Sequence, residues 1–264
     1  MLHVRLLGQF DLRTDANRIV LPTRAAQSLF AYLILTSGTA HRREKLAGQF
    51  WPDTLDENAR GNLRRELWRI RKALAGPDAS SFEYLIAEEV TITFNAQAEY
   101  WLDTAELGRN LTSQAPLEAR IDQVSLYQGE LLPGFYEDWV VSERQRLQAV
   151  FEDKMESLLQ VLVAEQRWTT VSDWGEKWLA MNNTSEPAYR ALMLAHGACG
   201  DMSKAAALYQ RCLEALRAEL GVEPSVETRT LYEGVVKGAQ TSTRGVSIRR
   251  FCIRPGIFGE INWG

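Results

Sequence analysis

In the first 95 residues, segments whose apolar residues have the spacing of β-strands alternate with segments that have the spacing of helices. Residues 4–13 and 18–22 carry apolar and β-branched side chains on either side of polar residues 14–17, which predicts short strands around a turn. From Thr23 the apolar spacing becomes helical, and two further helices are predicted at 42–51 and 56–75. Thr54 and Glu57 have the spacing of a capping box before the third helix. Residues 82–95 predict a β-hairpin that turns at Glu88 and Glu89.

This succession predicts two domains and a tail. Strands, three helices and a terminal hairpin within residues 1–97 indicate an α+β winged helix-turn-helix with an N-terminal sheet. Residues 98–238 are helical almost throughout, from Glu99 to about Lys237, and predict an all-α domain of tetratricopeptide-like helix pairs with turns at 165–167 and 200–201. Residues 239–264 have no sustained period and predict an irregular tail or a shortened linker.

The third predicted helix carries the strongest functional signal. Leu63, Leu67, Ile70 and Leu74 fall on one side, which is expected to be buried. Between Arg60 and Lys72 the helix holds six cations and one acid. Like charges four residues apart repel, so a basic run of this density favours binding to phosphates and guanine edges over a purely structural role. The residues expected to face DNA on this helix are Asn58, Arg60, Arg64, Arg65, Trp68, Arg69, Arg71 and Lys72, with Arg65, Trp68, Arg69 and Lys72 at the centre.

Residues outside this helix complete the predicted DNA interface. Arg24, at the start of the first helix, and Arg42 and Arg43, at the start of the second, are expected to lie near backbone phosphates. The acidic pair at the hairpin turn predicts a wing that adds little to DNA affinity. For Trp68 two interpretations stay open: it contacts a sugar edge or a thymine methyl, or it packs on the wing or the second domain.

Charge is distributed unevenly along the chain. The net charge is −4, yet residues 1–95 carry 13 basic against 11 acidic side chains, and residues 96–238 carry 13 against 22. A polyanion is therefore expected to bind the first domain, and a protein or small signal is expected to bind the acidic second domain.

Other function classes are weakly supported. Three histidines and no nucleophile or metal motif argue against an enzyme, so no catalytic, cofactor or metal site is predicted. Three cysteines without C-x-x-C spacing, and no apolar run long enough to span a bilayer, predict a cytoplasmic protein without a membrane partner. The alternative function is a helical-repeat interaction scaffold whose winged helix does not bind DNA. RNA binding is disfavoured because the strands lack aromatic stacking platforms.

The residues also match a known family. Residues 6–13, 21–35, 42–53 and 62–74 resemble the DNA-binding half of antibiotic-regulatory-protein type bacterial transcriptional activators, which share an OmpR-like winged helix. Residues 100–107, 129–148 and 200–233 resemble the bacterial transcriptional activator domain that follows it. The resemblance implies an activator that binds double-stranded promoter DNA at direct repeats as two protomers and contacts RNA polymerase. Larger relatives continue into an ATPase, and the chain contains no G-x-x-x-x-G-K-[ST] sequence, which leaves a short form or a truncated long form.

Overall fold

The computed structural model describes residues 1–15, 17–75, 84–112 and 114–242. Within these ranges the chain is mostly helical. The strands are β1 Leu2–Arg5, β2 Asp11–Thr14, β3 His41–Arg42, β4 Leu85–Ala87, β5 Thr91–Phe94 and β6 Tyr100–Leu102. The helices are α1 Arg24–Leu35, α2 Arg43–Phe50, α3 Asp56–Leu74, α4 Asp103–Gly108, α5 Leu117–Ser125, α6 Asp138–Ala164, α7 Trp168–Met181, α8 Glu186–Ala198, α9 Met202–Leu220 and α10 Val226–Ser242.

The chain forms two compact units, Met1–Lys154 and Met155–Gly264, which divide within α6. The predicted boundary at 97/98 lies inside the first unit. The assignment of residues 1–97 to a separate DNA-binding domain stays a prediction.

The first unit opens with a sheet of order β2-β1-β6, in which β1 runs antiparallel to β2 and parallel to β6. Two sequence-based expectations are wrong here. Residues 18–22 form no strand beyond a single bridge between Arg13 and Arg18, and residues 100–102 are a strand where helix was expected. A parallel partner almost a hundred residues away leaves no mark on local periodicity, which explains the second error.

A second sheet of order β3-β5-β4 is antiparallel, and β4 and β5 form the predicted hairpin. Helix α1 begins at the N-cap Thr23, whose hydroxyl accepts from the Ala26 amide at 3.1 Å. The predicted capping box at Thr54 is wrong: the N-cap of α3 is Leu55, and no side chain caps it. Asp56 and Glu57 still lie in the first turn of α3, where their negative charges interact favourably with the positive end of the helix dipole.

Residues beyond 97 complete the core of the first unit. The Asp103 carboxylate is buried and accepts from the Leu6 and Leu7 amides at 2.8 and 2.9 Å. Burial raises the pKa of this carboxyl group, and the backbone donors oppose that rise. The Trp139 ring of α6 packs edge-on against Tyr32 of α1, with centroids 5.2 Å apart. These contacts explain why the compact unit continues to residue 154.

The second unit is a series of antiparallel helices. The predicted turns are present between α6 and α7 at residues 165–167 and between α8 and α9 at residues 199–201, where the Asp201 side chain caps α9. Helix α8 packs against α7, α9 and α10. Helix α10 continues to Ser242, four residues into the predicted irregular tail, and residues 243–264 of that tail lie outside the described residues.

Candidate nucleic-acid interface

Helix α3 buries one side against α1 and α2. The predicted stripe is confirmed, since Leu63, Leu67, Ile70 and Leu74 are all at most 5% exposed. Glu66 is also buried, which the sequence pattern did not predict. With one side fixed in the core, the remaining side chains of α3 fall into an outer row and two edges.

The outer row of α3 consists of exposed residues: Asn58, Gly61, Arg65, Trp68 and Lys72. Trp68 is 59% exposed, and the Lys72 ammonium lies 4.9 Å from its ring centroid. The ring is therefore accessible on the outer row of α3, and its contact with DNA stays a prediction. Arg65 donates to the Asn62 side-chain oxygen. No described atom would come within 4 Å of a Cβ added at Gly61, so the helix backbone is open to approach there.

One edge of α3 faces α2 and the β4–β5 hairpin, and it gathers arginines. Arg60 pairs with Glu44 of α2 at 2.9 Å. Arg43 donates to the Glu88 carbonyl at 3.0 Å, and Arg71 donates to the Leu85 carbonyl at 3.5 Å. Burial, together with the charges of Arg71 and Arg64, lowers the pKa of Arg43. The positive charges of Arg64 and Arg71 therefore both act on Arg43, and an anion such as a phosphate would relieve that repulsion.

The other edge of α3 faces the start of α1 and holds a buried polar chain. Arg69 is half-buried and pairs with the Glu66 carboxylate at 2.5 Å. The other oxygen of Glu66 accepts from the Thr23 hydroxyl, also at 2.5 Å. The Arg69 side chain thus lies at the edge of α3 beside the core, and not in the outer row that the spacing of the helix predicted for it. The signal for this pair was present in the sequence, because Glu66 is the single acid among six cations and stands three residues before Arg69.

The two remaining predicted phosphate contacts differ in their surroundings. The Arg24 guanidinium lies 4.4 Å from the ring centroid of Phe135, a contact that no sequence pattern indicated. Arg42 is exposed in β3 and is the N-cap of α2, so it precedes the helix instead of starting it as predicted. Within the described residues, neither Arg42 nor the exposed Arg64 of α3 forms an ion pair, which leaves both charges available.

The hairpin turn is acidic, as predicted. Glu88 and Glu89 are exposed, and the Glu88 carboxylate accepts from the Thr91 hydroxyl at 2.7 Å. Positive charge therefore concentrates on α3 and the start of α2.

Two further features bear on other functions. Among the residues that the structure describes, no His, Cys, Asp and Glu side chains group in a way that could hold a metal ion. No helix in the described ranges has both the length and the apolar character that crossing a bilayer requires.

Comparison with known proteins identifies one family, and the similar proteins include the following two. A family model for the bacterial transcriptional activator domain matches residues 98–236, more than half of the chain. The transcriptional regulatory protein MoaR1 of Mycobacterium tuberculosis is 21% identical over 243 residues, which cover 88% of this chain and 78% of MoaR1. The structure of M. tuberculosis EmbR, solved in complex with a low-affinity phosphopeptide, is similar with a TM-score of 0.68 and 20% identity over 92% of this chain and 69% of that chain. This likeness shows a shared fold.

Proposed function

The chain belongs to the bacterial transcriptional activator domain family and is a transcriptional regulator of that type. From this membership we propose that it binds double-stranded promoter DNA sequence-specifically and that α3 makes the specific contacts. The observation that carries the proposal is the outer row of α3, in which Arg65, Trp68 and Lys72 are exposed while the opposite side of the helix is buried.

The first unit has the element order of a winged helix-turn-helix. Strands β1 and β2 precede α1, β3, α2 and α3, and the β4–β5 hairpin follows as the wing. In this interpretation α3 is the recognition helix, which enters the major groove and places its outer row against base edges. Arg65 is the residue best suited to a guanine, and Trp68 to a sugar edge or a thymine methyl.

The edges of α3 have other roles in this proposal. Arg43, Arg64 and Arg71 bind a backbone phosphate beside the groove, because that anion relieves their mutual repulsion. Arg42 and Arg24 contact further phosphates. Arg60 is partly compensated by Glu44 and contributes less. Arg69 holds α3 against α1 through Glu66, so its effect on DNA binding is indirect.

The second unit supplies the protein contacts in the proposal. Its helix pairs cross closely, since a Cβ at Gly175 of α7 would lie 2.7 Å from Leu192 of α8. Close crossings between successive antiparallel helices are typical of tetratricopeptide-like repeats, which present surfaces to other proteins. We assign to this unit the contacts with a second protomer on a direct repeat, with RNA polymerase or with an effector. A protein that binds the chromosome in this way works in the cytoplasm.

A helical-repeat scaffold that does not bind DNA is the second candidate function. It accounts for the second unit equally well. It gives no reason for the uncompensated cations of the first unit, because the side chains of Arg42 and Arg64 form no ion pair within the described residues. DNA binding accounts for both units.

The test is duplex binding by the full chain. A labelled duplex from the region upstream of its own gene is titrated with protein at several salt concentrations, beside a shuffled duplex of equal length and composition. We expect tighter binding to the upstream duplex and a steep loss of affinity with salt. Equal, weak binding to both duplexes at every salt concentration is the result that would overturn the proposal.

A further inference from the structure

A tight turn precedes α6 in the first unit and has no role in the function proposed above. The Phe135 amide donates to the Leu132 carbonyl at 3.1 Å, and Pro133 and Gly134 occupy the two central positions. Gly134 has a φ of 82°, as the third residue of a type II turn requires. Leu132 also has a positive φ, 47°, which is a costly conformation for a residue with a branched side chain.

Several contacts hold this turn in one conformation. Arg144 of α6 donates to the carbonyls of Leu131, Leu132 and Phe135 at 2.7, 2.5 and 2.8 Å. The Leu132 amide donates to the Leu6 carbonyl at 2.9 Å. A neighbouring close approach supports this contact, because a Cβ at Gly8 would lie 2.9 Å from the backbone of Gln128. Leu131, Leu132 and Phe135 are buried. The strained conformation is thus fixed from several sides.

The rigid turn presents a single large side chain to solvent. Tyr136 follows the buried Phe135 and is 79% exposed, the largest exposure of any large apolar or aromatic side chain in the described residues. Burial of a tyrosine ring is favourable. An exposed ring on a strained turn that the fold holds in place is therefore suited to contact a partner molecule.

Neighbouring residues connect this turn to α3. Phe135 lies beneath the Arg24 guanidinium, and Arg24 opens α1 directly after the N-cap Thr23. Thr23 in turn bonds Glu66 of α3. Stacking on a ring uses the face of a guanidinium and leaves its N–H edge free to bind a phosphate. Tyr136 is therefore the residue after Phe135, the ring on which Arg24, a proposed phosphate contact, stacks.

We propose that Tyr136 contacts the sugar–phosphate backbone of the bound duplex, outside the groove entered by α3 and beside the phosphate bound by Arg24. The inference rests on the proposed function. The phenol hydroxyl donates to a phosphate oxygen while the ring covers the adjacent sugar. The segment matched by the activator-domain family thereby contributes directly to DNA binding. The phenol carries no positive charge, so its hydrogen bond to a phosphate adds no counterion release. Glu137 and Asp138 follow Tyr136 and contribute no positive charge either.

The experiment compares full-length wild type with Tyr136→Phe, Tyr136→Ala and Arg24→Gln, each checked for an unchanged melting temperature. Val141→Ala, at a 43% exposed position of α6, is the matched surface control. On the upstream duplex we expect Tyr136→Phe to bind about 3- to 10-fold more weakly, with an unchanged salt slope. Arg24→Gln is expected to reduce the slope by about one. Ethylation interference is expected to lose one phosphate at the edge of the site in Tyr136→Phe and none in Val141→Ala.

The outcomes separate this inference from the proposed function. If wild type does not bind the upstream duplex preferentially, the proposed function fails first. If wild type binds and Tyr136→Ala binds equally well, the inference alone is overturned. If Tyr136→Ala binds normally but no longer activates transcription from that promoter, the turn contacts a protein partner, and the DNA assignment is wrong.

Discussion

Two helical glycines of the second unit, Gly175 and Gly197, have different surroundings from Gly61 in α3 of the first. In the second unit, a Cβ at Gly175 or Gly197 would lie 2.7 Å from the side chain of Leu192 or Val235, so a larger residue would force these side chains to move. In the first unit, Gly61 stands inside α3 with no described atom within 4 Å of such a Cβ. A glycine inside a helix costs about 0.5–1 kcal/mol relative to alanine. The fold explains that cost at Gly175 and Gly197. It explains it neither at Gly61 nor at Gly234 of α10, and of these two only Gly61 lies in the row that the proposed function places against DNA.

Basic side chains of α9 in the second unit and of α3 in the first also differ in whether they have acidic partners. In the second unit, basic residues of α9 have acidic partners, as Arg211 has in Glu176 at 3.0 Å and Arg217 in Glu223 at 2.7 Å. On α3, Arg64, Arg65 and Lys72 form no ion pair within the described residues. The basic side chains of α9 are thus paired within their own unit, whereas the outer row of α3 remains open to a partner. Five substitutions test this difference.

The largest effect is expected where packing demands glycine. Gly175→Val places a branched side chain against Leu192 and is expected to lower the free energy of unfolding by about 2–3 kcal/mol. Gly234→Val in α10, where no described atom is near, is the control and should change it little. Urea titration followed by circular dichroism measures both. Equal stability of the two variants would show that the crossing of α7 and α8 tolerates a larger side chain.

Arg65→Ala tests the outer row. We expect a loss of about 1–3 kcal/mol in specific duplex binding, because a base contact disappears, with no change in unfolding. Arg211→Ala in the second unit is the charge-matched control. Fluorescence anisotropy with the upstream and the shuffled duplex separates specific from nonspecific loss. A parallel loss on both duplexes would make Arg65 a phosphate contact.

Arg69→Ala tests the edge that faces α1. Removing the guanidinium leaves the buried Glu66 with only the Thr23 hydroxyl, and we expect the free energy of unfolding to fall by about 1–2 kcal/mol. Arg69→Ala combined with Glu66→Gln should regain part of that loss, since no buried charge remains unpaired. If the single variant is as stable as wild type but binds DNA weakly, Arg69 reads bases, as the sequence pattern suggested.

Arg42→Ala tests the phosphate contacts. We expect affinity to fall evenly on all duplexes and the salt slope to decrease by about one, because one phosphate contact, and the counterion released when it forms, is lost. Binding isotherms over a range of potassium chloride concentrations give the slope. Arg167→Ala in the second unit should leave the slope unchanged, and a slope unchanged in Arg42→Ala as well would remove this residue from the interface.

Gly61→Ala is expected to have the smallest effect of the five, and to change stability and DNA affinity in opposite directions. Alanine is expected to stabilise the chain by about 0.5–1 kcal/mol, since it favours helix and meets no neighbour. Affinity for the upstream duplex is expected to fall a few-fold, because the methyl group lies where the duplex approaches. Gly234→Ala should stabilise similarly without affecting DNA. Equal affinity in Gly61→Ala would refute the close approach at this position.

Local pattern was sufficient to predict much of the site. Helical periodicity located α1, α2 and α3 within a residue or two, and the buried stripe of α3 follows from spacing alone. The exposed row of Arg65, Trp68 and Lys72 follows from the same geometry, because residues opposite a buried stripe face solvent. The hairpin with its acidic turn was predicted from β propensity around two adjacent glutamates.

Distant contacts could not be predicted in this way. The pairing of β6 with β1, the bond between Glu66 and Thr23, and the stacking of Arg24 on Phe135 all join residues more than forty positions apart. Each contact depends on how whole elements pack, and periodicity within one element carries no information about its partner. Arg69 is a different case, because its partner Glu66 lies only three residues away. What the pattern did not reveal is that Glu66 is buried and bonded to Thr23.

The sequence by itself therefore determined which helix is basic and which of its sides is buried, because both depend on residues a few positions apart. Tertiary structure alone decided which of the basic residues remain available. It ties Arg69 to a buried carboxylate, gathers Arg43, Arg64 and Arg71 at one edge, and brings a strained turn with Tyr136 next to Arg24. The physical reason is that charge is set by composition, whereas the partner of each charge is set by packing across the chain.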